Sequence, residues 1–246
     1  GLLRTAITSF TGTAVFALIT VDPTSLYTNM QCEKYPPHPA MEFNWLMAIK
    51  IHPTKALLIS TTVTLLETKL PGEIAVDEIL EASGISKGSL YHHFEDLGEL
   101  LEAAQVEIYA AWVDRSVEAL VGMLAKVKTR EDIVAGLKLV TRFTQDKKYS
   151  NTRFQRARAI AAAEHNPRFK KRLAEEQTRL TDALIDLINE ARNKGLYSKD
   201  FDAHAGAVLV QAYTLGMIVD DFVDNQMDPE AWYDLIDRVV DKVFLI

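Results

Sequence analysis

Residues 84–96 read GISKGSLYHHFED, setting two adjacent histidines, His92 and His93, just ahead of Glu95 and Asp96. Imidazoles and carboxylates at close spacing are the raw material of a metal centre or an acid–base pair. Helical geometry argues against the first. Neighbouring residues on a helix point about 100° apart, so His92 and His93 do not converge on one ion. His92 with Glu95, or His93 with Asp96, has an i, i+3 spacing that would converge. Yet His52 is the only other histidine in this part of the chain, and the single cysteine, Cys32, lies far away. No metal, no cofactor and no catalytic residue is expected here. The other residues of the stretch are small or hydrogen-bonding, which suits a surface that a polar polymer approaches closely.

Such a surface must be held by its flanking elements. A short helix is expected over 75–82, with Val76, Ile79 and Leu80 inward, and a second over 86–93. Gly84 between them suits a left-handed position after a helix end. Two short helices joined by a glycine-containing turn form a helix-turn-helix. The outer face of its second helix would carry Ser86, Lys87, Gly88, Ser89 and His92, narrow and polar enough for a major groove. Leu90 falls on the opposite face with Ile85 and Phe94. Gly88 inside a short helix costs about 1 kcal/mol relative to Ala; close backbone approach to DNA is one reason for such a residue.

The segment ILEASGISKGSLYHHF, residues 79–94, resembles the signature of the TetR/AcrR family of transcriptional repressors. The resemblance covers about 54–101 and is architectural beyond that. It implies a ligand-responsive regulator, not an enzyme, that binds double-stranded operator DNA as a homodimer and is released by a small-molecule effector. Ser86, Lys87, Gly88, Ser89, Tyr91 and His92 would then contact DNA, with the Tyr91 hydroxyl on a phosphate. Ser86 would also cap its helix, and His93 would anchor the helix end. Two positions depart from the family's habit: Ala75 stands where many members carry Thr, and Glu95, Asp96 and Leu97 stand where many carry Lys. Residues 47–100 hold four Lys, no Arg and eight acids, which implies weaker DNA binding than in a typical member. A protein-binding module whose acidic head no longer binds DNA is the alternative.

The whole chain agrees with a folded, all-α protein. Its 246 residues are 48% hydrophobic and carry a formal charge of −7, so any affinity for DNA has to be local. One cysteine excludes an internal disulfide framework and points to a reducing, cytoplasmic setting. No run is long and apolar enough to span a bilayer; the nearest, residues 6–21, is short and rich in threonine. Residues 1–46 lack helical periodicity and contain the breaker run YPPHP, so they are expected to be a loosely ordered or non-native extension. Met41 and Met47 are both candidate starts. A DNA-binding domain over 47–100 and an effector-binding and dimerisation domain over 101–246 would follow.

Helices are expected from Pro53 to Lys69, from Asp96 onward, and over 133–144 behind the Thr129/Asp132 capping box. Others should cover 151–164, 167–194 closed by Gly195, 202–224, and 229–244. Residues 142–179 invert the charge of the chain, with eleven basic residues against four acids. This segment would be a solvated face paired to the acidic head, or would hold an anionic effector through Arg153, Arg156 or Arg158, or would touch DNA directly. Tyr109, Trp112, Phe143, Phe154, Arg158 and Tyr213 are candidate pocket residues, although such aromatics are commonly plain core. Small and apolar residues in the last two helices suit a four-helix dimer interface, with Leu209, Ala212, Gly216, Trp232, Ile236 and Val239 as its candidates.

Overall fold

Prolines and short oxygen-bearing side chains mark where the helices of this chain begin. The computed structural model describes residues 51–245; the expected extension at 1–46, residues 47–50 and Cys32 lie outside the described residues. Among those described, the order is α1 (Pro53–Leu66), α2 (Val76–Ser83), α3 (Lys87–His93), α4 (Leu97–Lys126) and α5 (Arg130–Gln145). There follow α6 (Ser150–Ala163), α7 (Pro167–Asn193), α8 (Ala203–Gly216), α9 (Ile218–Asp221) and α10 (Pro229–Val239). The fold is all-α, and an isolated antiparallel bridge between Tyr197 and Leu245 is the extended pairing found among the described residues. No described helix is long and apolar enough to cross a membrane.

Each start has a local cause. Asp96 accepts from the Glu99 amide at 2.7 Å, Asn166 from the Phe169 amide at 3.0 Å, and Asp202 from the Ala205 amide at 2.8 Å. Thr129 and Asp132 form the reciprocal capping box ahead of α5. Such caps satisfy backbone donors that the first turn cannot, each worth about 1 kcal/mol. Pro53, Pro167 and Pro229 occupy first turns, where a missing N–H costs nothing. Gly84 and Gly195 both have positive φ, 68° and 71°, and end α2 and α7.

The apolar side chains gather into two clusters, and α4 belongs to both. Its start supplies Leu100, Ala103 and Ala104 to a core with Leu58 of α1, Ile79 of α2, and Leu90 and Phe94. Further along, Tyr109, Val113 and Leu124 enter a second core with Ile133 of α5 and the inner face of α7, from Phe169 to Ala191. A 30-residue helix is about 45 Å long and stiff, so one rod runs from the three-helix head into the bundle.

The end of the chain departs from the expected pair of uninterrupted helices. The expected 202–224 helix stops at Gly216 and resumes as the single turn α9. That break delivers Asp221 to the buried Arg153, which donates to it from Nε at 2.5 Å and Nη2 at 2.7 Å. The last helix is α-helical only to Val239 and widens into a π turn over Val240–Phe244. The amide of Ser198 donates to the Phe244 carbonyl at 2.8 Å and pins that end.

Candidate nucleic-acid interface and effector cleft

In the head, α3 is fixed from behind and bare in front. Leu90 is fully buried, and Ile85 and Phe94 pack with it against Ile79 and Leu80. Ser86 caps the helix: its Oγ accepts from the Ser89 amide at 3.2 Å and lies 3.1 Å from the Ser89 hydroxyl. Lys87, Gly88, Tyr91 and His92 are exposed, and Ser89 is half-buried. A Cβ built on Gly88 would meet nothing within 4 Å, so the open space in front of it belongs to solvent. His93 is half-buried, its ring 4.7 Å from that of His52 and 5.1 Å from that of His92. Burial first, and then the positive neighbours His52, His92 and Lys55, hold its pKa below the ordinary imidazole value. No group of three or more metal-ligating side chains occurs among the described residues.

The departures from the family pattern have structural outcomes. Ala75 precedes α2 with no side-chain cap, while Asp77 and Glu78 in the first turn favour the positive helix end. Lys69 is engaged by Glu78 at 2.5 Å. Glu95 receives the guanidinium of Arg168 at 3.2 Å, and the same Arg168 reaches Glu102 at 2.8 Å. So the basic segment does meet the acidic head, through one arginine at the start of α7.

A cleft of about 110 Å³ lies between the end of α1 and the facing sides of α4 and α6. Tyr109, Trp112 and Arg158 line it; Phe143, Phe154 and Tyr213 do not. The reasons are local. Phe143 stacks on Tyr149 at 4.8 Å. Phe154 precedes Gln155 and Arg156, which line the cleft, and so points to the other side of α6. Tyr213 is half-buried on α8, where burial raises its pKa while a hydrogen bond from Thr141 opposes the rise. Arg156, expected above to hold an anionic effector, lines the cleft too; the residues missed above fall in helical stripes, with Gln105, Ile108 and Arg115 joining Tyr109 and Trp112 at i, i+3, i+4 spacing on α4, and Thr152 and Gln155 joining Arg156 on α6.

Two buried arginines one turn apart on α6 are in opposite electrostatic states. Arg153 has its fork filled by Asp221, and it also donates from Nη1 to the Thr144 carbonyl at 3.1 Å. Arg156, only 6% exposed, has no ion pair among the described residues, and its Nε has no hydrogen-bond partner. Its guanidinium lies 3.5 Å from the Trp112 ring centroid and 5.6 Å from that of Tyr109. Burial holds its pKa below the usual guanidinium value, and Tyr109 opposes that fall. A cation–π contact contributes about 0.5–2 kcal/mol, whereas burying an ion costs several kcal/mol after relaxation. The charge is therefore under-compensated where it stands.

On the far side, the expected interface residues divide. Leu209, Ala212 and Gly216 are exposed on α8. Trp232 is half-buried and donates from Nε1 to Gln145 at 2.5 Å, and Val239 is half-buried. Ile236 is a correction: it is 5% exposed, facing inward on α10, whose packing partner is α5, so it belongs to the protomer's own core. Its neighbour Leu235 is 49% exposed, and Val219 and Phe222 of the broken segment are each 68% exposed.

Residues 58–104 match the family model of bacterial regulatory proteins, tetR family, and residues 156–245 match that of the BetI-type transcriptional repressor, C-terminal. Together they cover more than half of the chain. No curated protein matches. Among solved structures, a TetR-family transcriptional regulator from Cytophaga hutchinsonii is similar at 15% identity and a TM-score of 0.59, over 80% of this chain and 99% of that one. One from Chloroflexus aurantiacus has 21% identity and a TM-score of 0.55, over 78% and 96%. The regulator FadR from Bacillus subtilis, in complex with stearoyl-CoA, has 13% identity and a TM-score of 0.51, over 76% and 97%.

Proposed function

The chain belongs to the TetR family of bacterial regulatory proteins, and on that premise we propose that it reads its operator through the exposed face of α3 and does so as a homodimer. It is a DNA-binding transcriptional repressor with a ligand-responsive C-terminal domain, and not an enzyme. The observation that carries the reading is the two-sidedness of α3. Leu90 is locked in the core, while Lys87, Tyr91 and His92 are exposed. Ser86, Gly88 and Ser89 complete the surface. In this reading Lys87 and the Tyr91 hydroxyl engage phosphates or base edges, and His92 lies along the backbone.

A helix-turn-helix reads two half-sites about one turn of DNA apart, which requires two heads at fixed separation. Leu209, Val219, Phe222 and Leu235 are exposed apolar side chains, and in this reading they meet the second copy. The DNA-binding domain covers residues 47–100 and the effector and dimerisation domain 101–246, with α4 crossing that boundary as one rod. A small-molecule effector seated in the cleft beside α4 acts by linkage: it lowers DNA affinity by its differential affinity for the two arrangements of the heads. A cytoplasmic site of action goes with this reading.

The test is a titration of the protein against the DNA upstream of its own gene at two salt concentrations, beside a scrambled duplex. Binding that prefers the upstream DNA and weakens with salt supports the assignment. Equal binding to both duplexes at low salt sinks the assigned surface.

A further inference from the structure

Resting on the reading of the α1–α4–α6 cleft as the effector site, we infer that the effector is an oxyanion on a small apolar body, and that Arg156 binds its anionic group. Three independent observations converge. Arg156 is a buried guanidinium with an orphaned Nε and no carboxylate beside it. Arg153, three residues away, shows how this same bundle satisfies an arginine that is structural, with both ends of an Asp221 carboxylate. The wall of the cleft then carries Arg115 and Arg158 besides Arg156, with Lys69 paired to Glu78, and no acid in its lining, in a chain whose acids outnumber its Lys and Arg 34 to 27. Arg115 and Arg158 make no ion pair among the described residues.

The rest of the wall defines the body of the ligand. Leu66, Ile108 and Trp112 are apolar, and the space is about 110 Å³. A carboxylate or a phosphoryl group fits that charge, because planar guanidinium donors pair with either in bidentate fashion. Arg156 would receive the anion through its terminal nitrogens while its face stays on Trp112. The opposite wall is Leu66, Lys69 and Leu70, at and beyond the end of α1, so a ligand seated on Arg156 touches the head and the bundle at once.

The experiment is a thermal-shift titration of the full chain at constant ionic strength with benzoate, octanoate and inorganic phosphate, and with benzamide and octanamide as neutral matches. At least one anion should raise the melting temperature with saturation, and the amides should not. A carboxylate response identifies a carboxylic acid as the effector class, and a phosphate response a phosphorylated compound. Arg156→Met should weaken the anion response at least tenfold while leaving the ligand-free melting temperature equal or higher, since it removes a buried charge that has no ion pair. A merely structural arginine would lower it.

Should Arg156→Met fail to fold, Arg115→Gln and Arg158→Gln alter only exposed side chains and should each weaken the anion response two- to fivefold. No anion response in the wild type, or equal responses in the wild type and all variants, overturns the inference. Adding the stabilising anion to the protein on its operator separates this from the parent reading. Stabilisation without release keeps the anion site and removes its role as effector site, whereas intact DNA binding with no anion response removes the site alone.

Discussion

Arg168 and Glu102 are joined by two hydrogen bonds across 66 residues of sequence, Nε to Oε2 at 2.8 Å and Nη2 to Oε1 at 3.0 Å. Asn166, which caps the same helix, adds a third donor to Glu102 at 2.6 Å. The start of α7 is thereby clamped to α4 just beyond the head, and the remaining Arg168 nitrogen reaches Glu95, one residue past Phe94. Glu95 is thus a contact to the bundle.

Glu102→Gln places an amide nitrogen against donors that need an acceptor. The variant should lose about 1–3 kcal/mol of stability, read as a lower urea midpoint at unchanged slope. Should the midpoint stay put, the clamp carries no net stability.

Lys87→Ala should lower the salt-dependence slope of operator binding by about one. Tyr91→Phe should weaken binding about 10- to 150-fold, the worth of one hydrogen bond to a charged group. Sedimentation should show the oligomeric state of both unchanged. Wild-type affinity in both variants would move the DNA surface off α3.

Leu235 and Ile236 are adjacent and should fail differently. Leu235→Glu puts a charge on the exposed apolar face and should shift the protein towards monomer in sedimentation, with the protomer still folded. Ile236→Ala removes core volume and should cost about 2–5 kcal/mol in denaturation. A dimer undisturbed by Leu235→Glu places the interface elsewhere.

The head should weaken in acid. His93 has a folded-state pKa below the ordinary 6.5 because burial and then His52, His92 and Lys55 disfavour its cation. The folded state then binds fewer protons than the unfolded one, so this stability is present above about pH 6.5 and is lost as pH falls below it. The melting temperature should drop between pH 7 and 5.5, and His93→Gln should flatten that drop. An equal drop in the variant assigns it to other groups.

Much of the architecture could be read from local residue types, because caps, turns and prolines act on their own neighbours. Gly84, the Thr129/Asp132 box, Asn166-Pro167 and Asp228-Pro229 each do one job within four residues. What stayed hidden depends on distant partners. Nothing in the spacing of Arg153 and Arg156 tells which of them meets Asp221, 68 residues from Arg153. Apolar periodicity on α10 made Ile236 and Leu235 equivalent, and only the packing against α5 sorts them. The break at Met217 was hidden for a similar reason: an apolar run through Gly216 reads as helix until Asp221 is drawn to its arginine. The cleft was half legible, since its α4 stripe is periodic while its α1 wall comes from another part of the chain.

Inside the bundle, Tyr109 donates to Gln177, Gln177 donates to Gln211, and Gln211 donates to Thr181 at 3.1 Å. An amide offers oxygen on one side and nitrogen on the other, so neither glutamine can turn over unless its neighbour does. Reversal is blocked where the row ends, because the Thr181 hydroxyl already donates to the Gln177 carbonyl at 3.0 Å and Gln211 Nε2 also donates to the Ala207 carbonyl at 3.1 Å. The row between the aromatic wall of the cleft and α8 thus has one complete setting, like a line of type that reads in a single direction.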